Sequence, residues 1–319
     1  MLVTIAMLPQ RLVVAVLFAA LALPAQSPFP AGAKPVNLGR VGASEGPVWH
    51  PGQGVLYFTG DNRISRRDAA GKVTVFREDA GANGLYVDPQ GRLVVCEARR
   101  GRVTRTELDG SITVLADSFE GKRFNQPNDL TMDSKGRIYF SDPRYGARDG
   151  MEILDAAGKP IEGVYRIDAP GKVVRVIAHE VDRPNGLLVS PGDEYLYVAD
   201  NNNNTVGGAR KLWRFNLRPD GSVDFATRKL IFDWKGSRGP DGLEMDAAGR
   251  LFVAGGITEA NRFETTEFKG GVYVLSPAGK LLDFVPIPVD EVTNVAFGGP
   301  NGKTLFVTAG GTLWEMAVK

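Results

Sequence analysis

The chain reads as an all-β protein, a six-bladed β-propeller with four-stranded antiparallel blades, and three observations carry that reading. A short cassette recurs six times, its starts spaced by roughly 40 to 55 residues, which is the period of a propeller blade. Each cassette joins two short apolar runs across a turn rich in Pro, Asp, Gly or Asn, which is hairpin chemistry. No helical stripe of useful length interrupts the series.

Taken in order, the cassettes are "EGPVWHPGQGVLYFTG" from Glu45, "NGLYVDPQGRLVVCE" from Asn83 and "NDLTMDSKGRIYFSD" from Asn128. They continue with "NGLLVSPGDEYLYVAD" from Asn185, "DGLEMDAAGRLFVAG" from Asp241 and "NVAFGGPNGKTLFVTAG" from Asn294. A second hairpin lies between cassettes, as in "GRVTRTELDGSITVLA", "GVYRIDAPGKVVRVIA" and "GVYVLSPAGKLLDFVPIP", where a D-G, P-G or A-G turn joins two alternating runs. Four strands per unit follow. A β-sandwich would lack this self-similarity, and the coils of a parallel β-helix would be shorter. Closure is expected from the chain ends, with "PVNLG" near Val36 adding a strand beside "GTLWEMAV", so that residues 36–319 form a single propeller domain.

The N-terminus differs from the rest. Arg11 precedes an apolar run from Leu12 to Leu23, and Pro24, Ala25 and Gln26 follow as a small-residue cleavage site. Residues 1–25 are therefore expected to be a signal peptide, with a retained anchor as the alternative, and residues 26–35 a Pro-rich linker. The mature protein is expected to be exported, to the periplasm or the outside of the cell, without stable membrane insertion. The lone Cys96, in the strand pattern "RLVVCEA", makes no internal disulfide and reads as a small buried hydrophobe. With 38 Lys and Arg against 37 Asp and Glu, the net charge of +1 provides no field to attract nucleic acid or an anionic membrane. The sequence leaves the oligomeric state open.

If each cassette opens the innermost strand of its blade, its first residue faces the central channel. The ring then reads Glu45, Asn83, Asn128, Asn185, Asp241 and Asn294. Asn and Asp before Gly also cap turns, but Glu is not a turn former, and it shares the position. Every member carries a side-chain oxygen. Such hard ligands suit one divalent cation, Ca²⁺ first, with Mg²⁺, Mn²⁺ or Zn²⁺ as alternatives. Two carboxylates, Glu45 and Asp241, would neutralise it.

Other chemistries lack their residues. The only histidines are His50 in "VWHPGQG" and His179 in "IAHEVDRPNG", both reading as surface or loop side chains, so a His-rich zinc site is excluded. No Ser sits in a G-x-S-x-G elbow with an obvious triad, and there is no P-loop or G-x-G-x-x-G. The run Asn201 to Asn204 reads as a solvated loop.

The markers "EGPVWHP", "FNQPNDLTMDSKGRIYFSDPRYG", "RPNGLLVSP" with "LYVAD", "GPDGLEMDAAGRLFVAG" and "PVDEVTNVAFGGPNGKTLFVT" resemble those of the SMP-30/gluconolactonase/luciferin-regenerating-enzyme group, in its usual order. Within it, "RLVVCEARRGRVTRTELDGSITVLADSFEGKRF" looks most like the bacterial gluconolactonase branch. The resemblance implies metal ligands at Glu45, Asn128, Asn185 and Asp241, with Asp241 also serving as general base or nucleophile. It implies supporting or substrate-facing roles for Asn83 and Asn294. Two positions depart from it: Gln126 replaces an Arg that touches the sugar in mammalian-type members, and Ala98 replaces a His frequent in bacterial ones. Arg144 and Tyr145, in the "SDPRYG" loop, are expected at the rim, so that Asn83, Gln126, Arg144, Tyr145 and Asn294 are the substrate-binding candidates.

The expected function is opening of a lactone or related ester by a metal-dependent hydrolase, the cation acting as Lewis acid. Two rivals fit the same residues: an exported, non-enzymatic propeller that binds a ligand around a structural Ca²⁺, and a phosphotriesterase-type hydrolase.

Overall fold

The computed structural model describes residues 27–319, and the signal segment expected over 1–25 lies outside the described residues. Six four-stranded antiparallel sheets follow one another along the chain. Blade 1 contains Glu45–His50, Val55–Gly60, Arg63–Arg67 and Val73–Arg77, from the axis outward. The inner strands of blades 2 to 5 are Leu85–Val87, Leu130–Met132, Pro184–Val189 and Leu243–Met245. Blade 6 is built from Val292–Gly298, Thr304–Ala309 and Gly311–Ala317, and its outer strand is Val36–Ala43 from the other end of the chain. Val36 pairs with Glu315 and Asn37 with Trp314, so the N-terminal strand closes the circle as expected and leaves no open seam. The one helical element among the described residues is a 3₁₀ turn at Ala98–Arg100.

Burial follows the layering. The second strands Leu93–Glu97, Ile138–Asp142 and Leu251–Gly255 are buried at every residue, because both their faces meet a neighbouring blade. That explains the apolar runs with which they begin, before the buried Glu97, Ser141 and Asp142. Outer strands such as Lys172–Ile177 alternate instead, with one face in solvent. Between blades the core is aromatic and aliphatic: Phe124, Phe140 and Tyr165 stack or meet edge to face at 5.0 to 5.6 Å. Each such ring taken out of water contributes about 1.5–3 kcal/mol.

Three expectations need correction. His50 is no surface residue: it ends the inner strand of blade 1, is buried, and uses both ring nitrogens. Its Nε2–H donates to Gly91 O at 3.1 Å while Nδ1 accepts the Gln53 N–H at 3.2 Å, tying two turns of adjacent blades together. Asn201 and Asn202 are buried, not solvated, and Asn201 closes the strand Tyr195–Asn201. The stretch expected as a linker is docked from Ser27 onward. Phe29 packs edge-on against Phe252 at 5.9 Å, and Lys319 N–H donates to Pro28 O at 2.9 Å. His179, in contrast, is exposed and its Nε2 bonds Asp155 Oδ2 at 2.9 Å.

Strand direction sets which end of the molecule does what. Inner strands run away from the residues that open them, so tight turns such as "DPQG" and "DSKG" collect at the far end. The connections from second to third strand collect at the ring end. They are long in blades 3, 4 and 5 (residues 143–162, 202–209 and 256–270) and only a residue or two in blades 1 and 6.

Cys96 lies fully buried in the core between blades 2 and 3, and burial holds its thiol well above its usual pKa. At pH 8 the native protein is therefore expected to give no colour with a thiol-exchange reagent and to react with one equivalent only in denaturant. Rapid labelling of the native chain would contradict this packing.

Candidate functional site at the propeller axis

Of the six residues singled out from the cassettes, Glu45 opens its inner strand, Asn83, Asn128 and Asp241 stand two residues before theirs, and Asn185 and Asn294 lie within the first three residues of theirs; the blades link them into a ring. A Cβ placed on Gly46 would lie 2.2 Å from Asn83 O, one on Gly84 2.6 Å from Asn128 O, and one on Gly186 2.1 Å from Asp241 O. On Gly242 it would lie 2.0 Å from the Asn294 amide. Gly84, Gly186 and Gly242 keep φ outside the left-handed region, so glycine serves close approach here, not a turn. Where the follower is not glycine, a hydrogen bond makes the link. The Asp129 carboxylate accepts the Leu187 N–H between blades 3 and 4. At the closing seam Asn294 Nδ2 donates to Glu45 Oε2 at 3.3 Å and Thr293 Oγ1 to Ser44 O at 2.6 Å.

A repeated device aims two of the ring residues. Asp142, at the end of the second strand of blade 3, accepts Asn125 N–H at 2.9 Å and Gln126 N–H at 2.8 Å. Asp200 holds the same place in blade 4 and accepts Asp182 N–H at 3.2 Å and Arg183 N–H at 2.9 Å. The acid that ends "IYFSD" or "YLYVAD" thus grips the chain just ahead of Asn128 or Asn185. Backbone donors satisfied this way in the interior hold the segment in one conformation.

Negative charge gathers at the axis. Burial pushes Glu45 well above the usual carboxylate range, and Asp241 and Asp129 nearby push it further. Burial likewise raises Asp241 to about 8, with Arg238 pulling the other way. That Arg238 is already committed: it bonds Glu264 at 2.9 and 3.2 Å. Arg183 is held by Glu162 at 2.8 Å. Meanwhile Asn83 Oδ1, Asn128 Oδ1 and Asp241 Oδ1 are buried with no hydrogen-bond partner in the protein. Buried oxygens without partners are costly, and a cation coordinated by them removes that cost, so the residues present fit a hard divalent ion. Among the described residues no three His, Cys, Asp or Glu side chains form a metal-holding group, which means that amide oxygens must share in holding any such ion.

The remaining candidates sit around this ring. Gln126 Oε1 accepts the Tyr145 N–H at 3.0 Å. The Tyr145 hydroxyl accepts from Asn185 Nδ2 at 2.6 Å. Arg144 turns back into its own loop, with its Nε donating to Ala147 O at 3.0 Å and its N–H to Glu162 at 2.8 Å. On the low side of the mouth, between blades 1 and 6, a polar cleft of about 470 Å³ is walled by Arg40, Asp61, Arg63 and Glu291, and includes Ser44 and Thr293 beside the ring. A larger cavity of about 780 Å³ opens at the far end of the channel, with Asp129 and Glu244 in its lining.

Sequence reasoning passed over Arg183, Glu162, Arg238 and Glu264. A signal for Arg183 was present, since it stands two residues before Asn185 as Gln126 stands two before Asn128. Glu162 and Glu264 arrive from long loops, and nothing local marks them.

Comparison with known proteins agrees with this fold. The sequence profile of the family described as SMP-30/Gluconolactonase/LRE-like region matches residues 43–311. A gluconolactonase of Zymomonas mobilis is 31% identical over 268 residues, covering 82% of this chain and 68% of that protein. A 6-deoxy-6-sulfogluconolactonase of Pseudomonas putida is 31% identical over 277 residues, covering 83% of this chain and 82% of that one. The solved structure of a gluconolactonase from Xanthomonas campestris superposes with a TM-score of 0.73 at 30% identity, covering 90% of each chain.

If close approach is why glycine follows the ring residue, Gly186→Ala must force the backbones of blades 4 and 5 apart. Overpacking of this kind costs about 1–3 kcal/mol, and a melting temperature lower by roughly 3–10 °C is expected in a calorimetric scan. An unchanged melting temperature would show that the ring is looser than described.

Proposed function

We propose, on the premise that this chain belongs to the SMP-30/Gluconolactonase/LRE-like family, that its ring is the active site of a hydrolase that opens lactones with the help of one divalent cation. The observation that carries the reading is the gathering of Glu45, Asp241 and partnerless amide oxygens at the axis, with both nearby guanidiniums already paired. Glu45, Asn128, Asn185 and Asp241 are the residues proposed to hold the ion, Ca²⁺ in the first place. When bound, the cation supplies Lewis-acid polarisation of the ester carbonyl and stabilises the charge that develops on its oxygen.

The chain's own groups account for the rest. The Asp241 carboxylate is proposed to hold the ion through one oxygen and to take the proton from the attacking water with the other. Asn83 and Asn294, on the same ring, are proposed to meet hydroxyl groups of the substrate. The long loops of blades 3 to 5 wall one half of the mouth from water, and the substrate enters over the low half. The cleft there is lined by charged and hydroxyl groups, which suits a hydroxylated sugar lactone better than an apolar ester. Relatives named gluconolactonase and 6-deoxy-6-sulfogluconolactonase support that substrate class. The leader expected at the N-terminus would place the reaction outside the cytoplasm.

A positioned base contributes about 10² to 10⁴ in rate, so Asp241→Asn is expected to lower lactone hydrolysis at least tenfold, with a circular-dichroism spectrum like that of the parent. Full retention of turnover would remove Asp241 from the reaction. Chelation with EDTA is expected to abolish hydrolysis of gluconolactone, and added Ca²⁺ to restore it. Chelation that shifts only the melting temperature, with no lactone or aryl ester turned over beforehand, would instead favour the ligand-binding propeller.

A further inference from the structure

The loop 143–162 of blade 3 does more than wall the mouth: one of its side chains reaches a ring residue of the next blade. Asn185 Nδ2 donates to the Tyr145 hydroxyl at 2.6 Å, and that hydroxyl in turn faces Asn201 O at 3.4 Å. The same Asn185 side chain also hydrogen-bonds the Asp241 carboxylate. Asn83 and Asn128, by comparison, have side-chain oxygens without any partner. Of these ring amides, Asn185 is thus the one tethered from outside its own blade.

The tether is itself held. The Arg183 guanidinium lies over the Tyr145 ring at 5.2 Å. Arg183 Nε bonds Glu162 Oε2 at 2.8 Å, and Glu162 also accepts the Arg144 N–H at 2.8 Å and pairs with Arg148. Glu162 and Arg183 are both buried, so this ion pair is fixed, not a fluctuating surface contact. A continuous chain therefore runs Glu162, Arg183, Tyr145, Asn185, Asp241, from the end of the loop to the axis.

We propose that Tyr145 is a positioning residue: seated by the Arg183–Glu162 pair, it fixes the Asn185 amide beside Asp241, so that docking of the blade 3 loop is part of assembling the cation site. This rests on the reading of the ring as a cation site. Outer partners of metal ligands typically control affinity by about 10- to 100-fold, because a ligand that is free to turn must be ordered when the ion binds. The hydroxyl of Tyr145 carries that control here, and its ring alone does not.

The test is a calorimetric titration of the full chain with calcium chloride, paired with thermal melts in EDTA. The parent is expected to bind one equivalent. Tyr145→Phe keeps the ring and loses the tether, and its Kd for Ca²⁺ is expected to rise by about 10- to 100-fold, with a melting temperature in EDTA within a degree or two of the parent. Glu162→Gln, which removes the charge that seats Arg183, is expected to shift Kd in the same direction. Parental affinity in both variants would overturn the role of Tyr145 while leaving the cation site standing. A parent that takes up no Ca²⁺, Mg²⁺ or Mn²⁺ would overturn the cation site and the positioning role together.

Discussion

Six strands that converge on one axis must bring their opening residues close together, and in this protein those residues carry oxygen where packing alone would favour small apolar groups. Glycine after Glu45, Asn83, Asn185 and Asp241 permits the approach, since a Cβ there would meet the next ring residue within 2.6 Å. The approach concentrates Glu45, Asp241 and Asp129 in a buried place, which raises the cost of their charge. A structure that accepts this cost must either protonate the acids or bring in positive charge. Two nearby guanidiniums are bound to Glu162 and Glu264, and the proposed cation would supply positive charge from outside the chain.

The scaffold around that charge is arranged to hold oxygens still. Asp142 and Asp200 each grip two backbone N–H groups just ahead of a ring residue, and the Tyr145 hydroxyl holds the Asn185 amide from the neighbouring blade. Such preorganisation is what a site needs if its groups are to act on a transition state without first being ordered. The asymmetric loops then divide the mouth into a walled half and an open, polar half, which gives an incoming substrate one direction of approach.

Much of this was legible in the sequence because it repeats. Hairpin spacing set the blade count, and the cassette starts marked the ring before any coordinates, down to the N-terminal strand at Val36 that closes blade 6. What stayed hidden depends on contacts between distant segments. His50 reads as a turn residue until Gly91 of the next blade is seen to take its N–H. Asn201 and Asn202 read as solvated until the Tyr145 hydroxyl from the blade 3 loop is seen to face Asn201 O and Asp182 to take the Asn202 amide. Phe29 lies in a stretch rich in proline, and only its contact with Phe252 reveals an anchor. Glu162 carries no local signal, because its meaning comes from Arg183, 21 residues on and beyond two intervening strands.

The proposed divalent cation at the axis is tested most directly by an anomalous difference map from crystals soaked in Mn²⁺. One peak bounded by oxygens of Glu45, Asp241 and the ring asparagines is the predicted result. A map with no axial peak, or with Mn²⁺ bound only at surface carboxylates, would contradict it.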